Sequence, residues 1–180
     1  MVIDTIQFSE IDKHKGPDVK QLKVWLNAGI DVGVMSEAGC PGVADPGAEL
    51  VAATHNMGAE VIPLTGPSSI LLALMASGLN GQSFAFAGYL PLKEPARSKK
   101  IQMVEQRSQN EQQTQIFIET PYRNSALLSE LLKVCKNNTR LCIAQNITAK
   151  NAVIKTKTIA EWKKEIPRLE KAPAVFLILA

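Results

Sequence analysis

The chain has 180 residues, 46% of them hydrophobic and 21% charged, with a formal net charge of +3. That balance excludes a disordered or collagen-like chain, and so mild a positive charge permits contact with nucleic acid without marking a dedicated binder. The three cysteines, Cys40, Cys135 and Cys142, are odd in number and lack the paired spacing of zinc ligands, so neither a disulfide framework nor a metal site is indicated.

Residues 3–8 alternate as a strand would, and the acidic Asp4 and Glu10 among the first ten residues argue against a signal peptide. No apolar run reaches the roughly 20 residues needed to span a bilayer, so a cytoplasmic protein with no membrane partner is expected. Residues 18–27 place Val19, Leu22, Val24 and Leu26 in a helix-compatible pattern closed by Gly29. The apolar run 30–35 reads as a strand that opens into Ser36-Glu37-Ala38-Gly39-Cys40-Pro41-Gly42-Val43-Ala44-Asp45-Pro46-Gly47. A helix over 46–57 follows, with Asp45 as its expected N-cap, Pro46 at its first position and Gly58 past its end.

The pattern then repeats. Residues 59–64 read as a strand, which runs through Thr65-Gly66-Pro67-Ser68-Ser69 into a helix over 67–77. That helix is apolar on every side, which predicts burial on both faces. The turn signal Asn80-Gly81-Gln82 sets the expected boundary between an α/β domain over 1–80 and a second over 81–180.

In the second half, 83–87 reads as a strand ending at Gly88-Tyr89-Leu90-Pro91. Residues 95–106 form a basic amphipathic segment in which Arg97, Lys99, Lys100 and the adjacent Arg107 interleave with Ile101, Met103 and Val104. Such a segment is ordinarily a solvated helix face, and its functional reading is a phosphate-contacting patch. The polar stretch 108–114 is expected as a loop. Residues 115–119 form a strand that ends in Glu119-Thr120-Pro121-Tyr122-Arg123 at a helix start, and 125–134 carries Leu127, Leu128, Leu131 and Leu132 at core spacing. Strands over 140–144 and 152–156, a helix over 159–165 holding Trp162, and a buried strand over 174–179 complete the chain. Alternating elements followed by a mixed pattern predict two α/β layers.

A Gly- and Pro-rich loop is ordinarily a tight turn and nothing more. Two of them, each leading from an apolar run into a helix start with small side chains, would bring unpaired N–H groups to one edge of a sheet, where ligands bind.

The segments 36–47 and 65–69, Gly88-Tyr89-Leu90-Pro91, Glu119-Thr120-Pro121-Tyr122-Arg123 and Gln145-Asn146-Ile147-Thr148 fall in the order and spacing of the tetrapyrrole methylase superfamily. The branch they most resemble methylates small-subunit ribosomal RNA on ribose 2′-hydroxyls with S-adenosylmethionine. The resemblance implies a two-domain α/β fold with a parallel-sheet first domain and a mixed-sheet second domain, the cofactor folded in the cleft between them, and a homodimer. It implies cofactor contacts from Ala38, Gly39, Cys40, Val43, Ser68, Ser69 and Glu119, and backbone contacts on the adenosine side from Ile147 and Ala174. Substrate contacts are expected from Glu37, Tyr89, Arg97, Tyr122 and Arg123.

Two departures stand out. The family's chain normally begins with a strand and a Gly- or Pro-rich loop ahead of the point where this sequence starts, so the first domain is expected to be truncated, with either a longer reading frame or a dimer partner covering the exposed edge. Gln145-Asn146 stands where the ribosomal branch tends to carry Arg-Glu.

Methyl transfer from a sulfonium is an in-line displacement in which positioning supplies much of the catalysis. A ribose hydroxyl gains from a general base, and Glu37 and Glu119 are the nearest carboxylates, although loop carboxylates more often cap backbone N–H groups. The base is left unassigned, and His14 and His55 have no evident partners. The leading expectation is an RNA methyltransferase with a basic rim at Arg97, Lys99 and Lys100. A methyltransferase for a tetrapyrrole or another small molecule, and a non-catalytic dimeric binding or scaffold domain, are the alternatives.

Overall fold

Helix α1 (Val19–Asn27) begins where the Asp18 carboxylate accepts the Gln21 N–H at 2.9 Å, satisfying one of the free donors of the first turn. The computed structural model describes residues 6–12, 16–36 and 39–180. The chain divides into two units, Met1–Ser68 and Ser69–Ala180.

In the first unit α1 packs against α2 (Ala48–Asn56), with Leu22 and Leu50 buried. Helix α2 is not capped at Asp45. Its N-cap is Gly47, which has φ of 134°, so the helix starts two residues later than the Asp-Pro pair predicts.

The parallel sheet expected in this unit is not seen among the described residues. The β-pairing found there among the described residues is an isolated bridge between Asp12 and Gly16. Residues 30–35 and 59–64 run without ladder partners, and the described part of 3–8 does likewise. The reason is that apolar composition confers a fit to a pleated surface, not a neighbour. The Ile30 N–H closes α1 on the Trp25 carbonyl at 3.0 Å, and the Ala59 N–H closes α2 on the Thr54 carbonyl at 3.3 Å. The side chains of Ile62 and Leu64 stay 68% and 89% exposed.

The second unit is built on a mixed five-stranded sheet of β1 (Phe84–Tyr89), β2 (Thr114–Glu119), β3 (Arg140–Gln145), β4 (Val153–Thr158) and β5 (Ala174–Leu179). The order is β1-β2-β5-β3-β4, with β1 and β2 parallel and the remaining neighbours antiparallel. Period-two alternation sorts the side chains onto two faces. Phe117, Leu141, Ile143, Phe176 and Ile178 enter one core beneath α4 (Ala96–Glu111), α5 (Asn124–Val134) and α6 (Ile159–Lys164). Ile116, Cys142, Ala144, Val175 and Leu177 enter the other, beneath α3 (Ser69–Ser77). Strand β5 is buried on both faces, as its unbroken apolar run predicts, whereas the edge strand β4 carries Lys155 and Lys157, a charge pattern that discourages further pairing.

Helix α3 therefore sits with the second unit, which begins at Ser69. Ala73 and Leu74 are buried on the sheet and the Thr156 hydroxyl donates to the Ser77 carbonyl at 2.6 Å. One face only is covered, since Met75 is exposed. Helix α4 runs through 108–111, where a loop was expected, because the polar side chains there support a helix by pairing four residues apart. Gln106 donates to Asn110 at 2.8 Å, and Arg107 meets Glu111 at 3.1 Å.

Candidate functional site

In the first unit the site begins with the loop 39–47. Val43 N–H donates to the Cys40 carbonyl at 3.1 Å, Gly42 N–H to the Pro46 carbonyl at 3.3 Å, and the Ser36 hydroxyl to the Gly39 carbonyl at 3.2 Å. Gly47 is required where the loop enters α2. A Cβ there would lie 3.3 Å from Val34 Cγ1 at a φ that L side chains rarely adopt.

The second loop lies against the first. Cys40 Sγ is 3.8 Å from the Pro67 carbonyl oxygen, so Cys40 and the turn leading to Ser68 are neighbours although 27 residues apart. Val43 is exposed, and a Cβ built on Gly39 or Gly66 would meet nothing within 4 Å among the described residues. Small residues of this kind leave room for a bulky ligand to approach the backbone. Glu37 and Ala38, two of the expected contacts, lie outside the described residues, as does His14.

The three thiols differ. Burial, reinforced by the Glu105 carboxylate, pushes the Cys135 thiol far up, and burial also raises Cys142. Both are held as inert protonated thiols, while Cys40 is partly exposed. Among the described residues no group of three His, Cys, Asp or Glu side chains is placed to hold a metal ion.

In the second unit four expected positions gather at one end of the sheet. Tyr89 pairs with Ile118 at the end of β1, Glu119 ends β2, and Ala174 opens β5 opposite both Glu119 and Gln145. Ile147 follows β3 within two residues and packs on the α3 side of the sheet. These are the C-terminal ends of β1, β2 and β3, the edge at which open α/β sheets bind ligands. Ser69 lies at the opening of α3.

Glu119 is the electrostatic centre of this edge. Its side chain is 1% exposed. One carboxylate oxygen accepts from Arg97 at 3.2 Å, and the other accepts from Arg123 Nε at 2.9 Å, Arg123 Nη2 at 2.8 Å and the Thr120 N–H at 2.8 Å. Both oxygens are committed to holding two guanidinium groups, so the side chain is arranged to fix Arg123 and the turn that carries it. Arg97, expected on a basic rim, is instead 9% exposed in this pair, and its Nε has no partner among the described residues. Lys99 remains exposed on α4.

Arg123 closes a 3-10 turn, Pro121–Arg123, that presents Tyr122 to solvent at 81% exposure. A groove of about 660 Å³ lies beside it, with walls that include Tyr122, Ser125, Arg168 and Lys171. The contribution of 166–173 has no periodic signal in the sequence, since the segment follows neither helical nor strand spacing. Its signal was the charged run between Pro167 and Pro173.

The mixed sheet, with helices on both faces, defines a three-layered α/β scaffold. The chain belongs to the Tetrapyrrole (Corrin/Porphyrin) Methylases, whose family model matches residues 4–163. It is similar to the ribosomal RNA small subunit methyltransferase I of Vibrio cholerae, at 32% identity over 98% of this chain and 61% of the relative. It is also similar to that of a Synechocystis species, at 36% identity over 81% of this chain and 51% of the relative. The chain thus spans about half to three fifths of the length of these relatives. Among solved structures, the methyltransferase CobJ matches with a TM-score of 0.58 at 20% identity, over 89% of this chain and 68% of its own. The uroporphyrin-III C-methyl transferase of Thermus thermophilus, complexed with S-adenyl homocysteine, matches with a TM-score of 0.51 at 17% identity, over 94% of this chain and 75% of its own. Both likenesses concern the fold.

Proposed function

We propose that this chain is an S-adenosylmethionine-dependent methyltransferase acting on a ribose 2′-hydroxyl of small-subunit ribosomal RNA. The observation that carries the reading is the side-by-side placement of two loops of small residues, through Cys40 Sγ and the Pro67 carbonyl, in a chain of the methylase family. The names of the relatives in Vibrio cholerae and Synechocystis support the RNA substrate.

The residues fit the cofactor. Gly39 and Gly66 leave space for the adenosyl group against the backbone, and the Ser68 hydroxyl can donate to a carboxylate or a ribose oxygen. S-adenosylmethionine supplies an activated methyl group whose leaving group is a neutral thioether. The protein's part is to hold donor and acceptor in line, which is where most of the rate of such a displacement arises. Within the second unit, Glu119 fixes Arg123, a planar donor suited to a phosphate oxygen. The proposed setting is the cytoplasm, and the proposed partners are ribosomal RNA and a second copy of the chain. Exposed Ile62 and Leu64 on the first unit and Met75 on the second support association. Among the described residues no helix is long and apolar enough to cross a membrane.

The test is methyl transfer from methyl-labelled S-adenosylmethionine to unmodified small-subunit ribosomal RNA, followed by alkaline hydrolysis. A methylated 2′-oxygen cannot attack the neighbouring phosphate, so label is expected in an alkali-resistant dinucleotide. Label in mononucleotides would overturn the ribose assignment, and label on an added tetrapyrrole but not on RNA would overturn the RNA substrate.

A further inference from the structure

The 166–173 loop has no regular structure of its own, yet it is pinned from beneath by two buried amides. Gln145 Nε2 donates to the Glu170 carbonyl at 2.8 Å while its Oε1 accepts the Glu170 N–H at 3.3 Å. Asn124 Nδ2 donates to the Ala172 carbonyl at 2.8 Å. Both amides are buried, so the loop is held by bonds that water does not readily replace. Gln145 and Asn146, the pair that departs from the ribosomal branch, do part of this work.

The charge on the loop is sorted as well. The Glu170 carboxylate is engaged by Asn146 Nδ2 at 3.3 Å and Asn151 Nδ2 at 3.4 Å. The groove wall thereby combines an acidic group already hydrogen-bonded to two amides with two exposed cations, Arg168 and Lys171. Tyr122 is 81% exposed, and Lys171 Nζ lies over one face of its ring, 5.8 Å from the centroid. The turn carrying Tyr122 is itself anchored, through Arg123 on buried Glu119.

We propose that this groove is a subsite for single-stranded RNA, in which Tyr122 stacks on one unpaired base while Arg168 and Lys171 neutralise the adjoining phosphates. The inference rests on the RNA substrate proposed above and extends it to residues beside the reacting nucleotide. An aromatic platform flanked by cations is the means by which proteins hold single strands without reading their sequence. A duplex hides the faces of its bases, so the ring selects unpaired RNA. An acidic peptide would use the cations but leave the ring without a role.

The test uses fluorescence anisotropy of the 180-residue chain with a short fluorescein-labelled single-stranded RNA, with the same strand in a duplex, and with an oligoglutamate competitor. The wild type is expected to prefer the single strand. Tyr122→Ala should weaken binding about tenfold at unchanged salt dependence, and Tyr122→Phe should restore it. Arg168→Gln and Lys171→Gln should each flatten the log–log salt slope by about 0.7. Because Tyr122 is solvent-exposed, thermal melts of its variants should superimpose on the wild type. Undiminished binding by Tyr122→Ala, equal affinity for the duplex, or efficient displacement by oligoglutamate would each overturn the subsite. If Tyr122→Ala binds normally while the wild type still methylates ribosomal RNA, only the subsite fails. If the wild type binds no RNA at all, the RNA substrate fails with it.

Discussion

Glu119→Ala is expected to lower the free energy of unfolding by about 3–5 kcal/mol, the range for breaking one side of a buried ion pair. The substitution removes the acceptor for Arg97, whose side chain is 9% exposed, and leaves that guanidinium facing Arg123 with no carboxylate between them. The Arg97 arm accounts for most of the loss, because Arg123 is 39% exposed and water can take over part of its solvation. Glu119→Gln keeps an acceptor oxygen but no charge, so it should fall between the wild type and Ala. Urea unfolding followed by circular dichroism measures both. A midpoint for Glu119→Ala within error of the wild type would show that the two arginines find solvation elsewhere. The loss would also release the turn that presents Tyr122, which ties the stability of this edge to its proposed work.

Phe176→Ala should cost about 3–5 kcal/mol as well, by a different route. Phe176 lies on β5, the strand between β2 and β3, and is fully buried. Its ring stacks on that of Phe117 with centroids 6.1 Å apart and planes 2° from parallel. Removing it deletes apolar contact and leaves a cavity between the sheet and its helices, which the flanking strands cannot close without breaking ladders on both sides. A double-mutant cycle with Phe117→Ala should return a coupling of about 0.5–1.5 kcal/mol for the stacked pair. Additive losses in the cycle would reduce the stacking to simple burial. Against a total stability of about 5–15 kcal/mol, either single substitution removes a large share.

The second unit was largely legible in the sequence. The six apolar residues of β5 form a strand with the bounds their pattern predicts, and the leucines of α5 face the core at the spacing that marked them. Local pattern suffices there because each element has a neighbour that its apolar face fits. In the first unit the runs 30–35 and 59–64 carry the same composition and form no ladder, since a strand depends on a partner that its own residues do not specify.

The site divides in the same way. The Gly- and Pro-rich loops were visible as loops, and Cys40 beside the Pro67 carbonyl agrees with the expectation that they adjoin. The sequence marks Arg97 as a surface cation because helical spacing reports a face, not what the sheet places against it. Its partner Glu119 is 22 residues away and reaches it only through the packing of α4 on β2. The 166–173 loop carries no periodic signal, and its position depends on Gln145 and Asn124, whose amides gave no hint in the sequence of what they would hold.

On the proposed function, the 39–47 loop and the turn ahead of Ser68 form a wall of the cofactor pocket. Alkylation of the native chain by iodoacetamide, with and without S-adenosylhomocysteine, tests it most directly, with cofactor binding followed by calorimetry in parallel. Cys40 is expected to react alone, since burial holds Cys135 and Cys142 as protonated thiols, and bound S-adenosylhomocysteine should slow that reaction at least severalfold. Calorimetric binding with no change in the Cys40 rate, or no binding at all, would contradict the account.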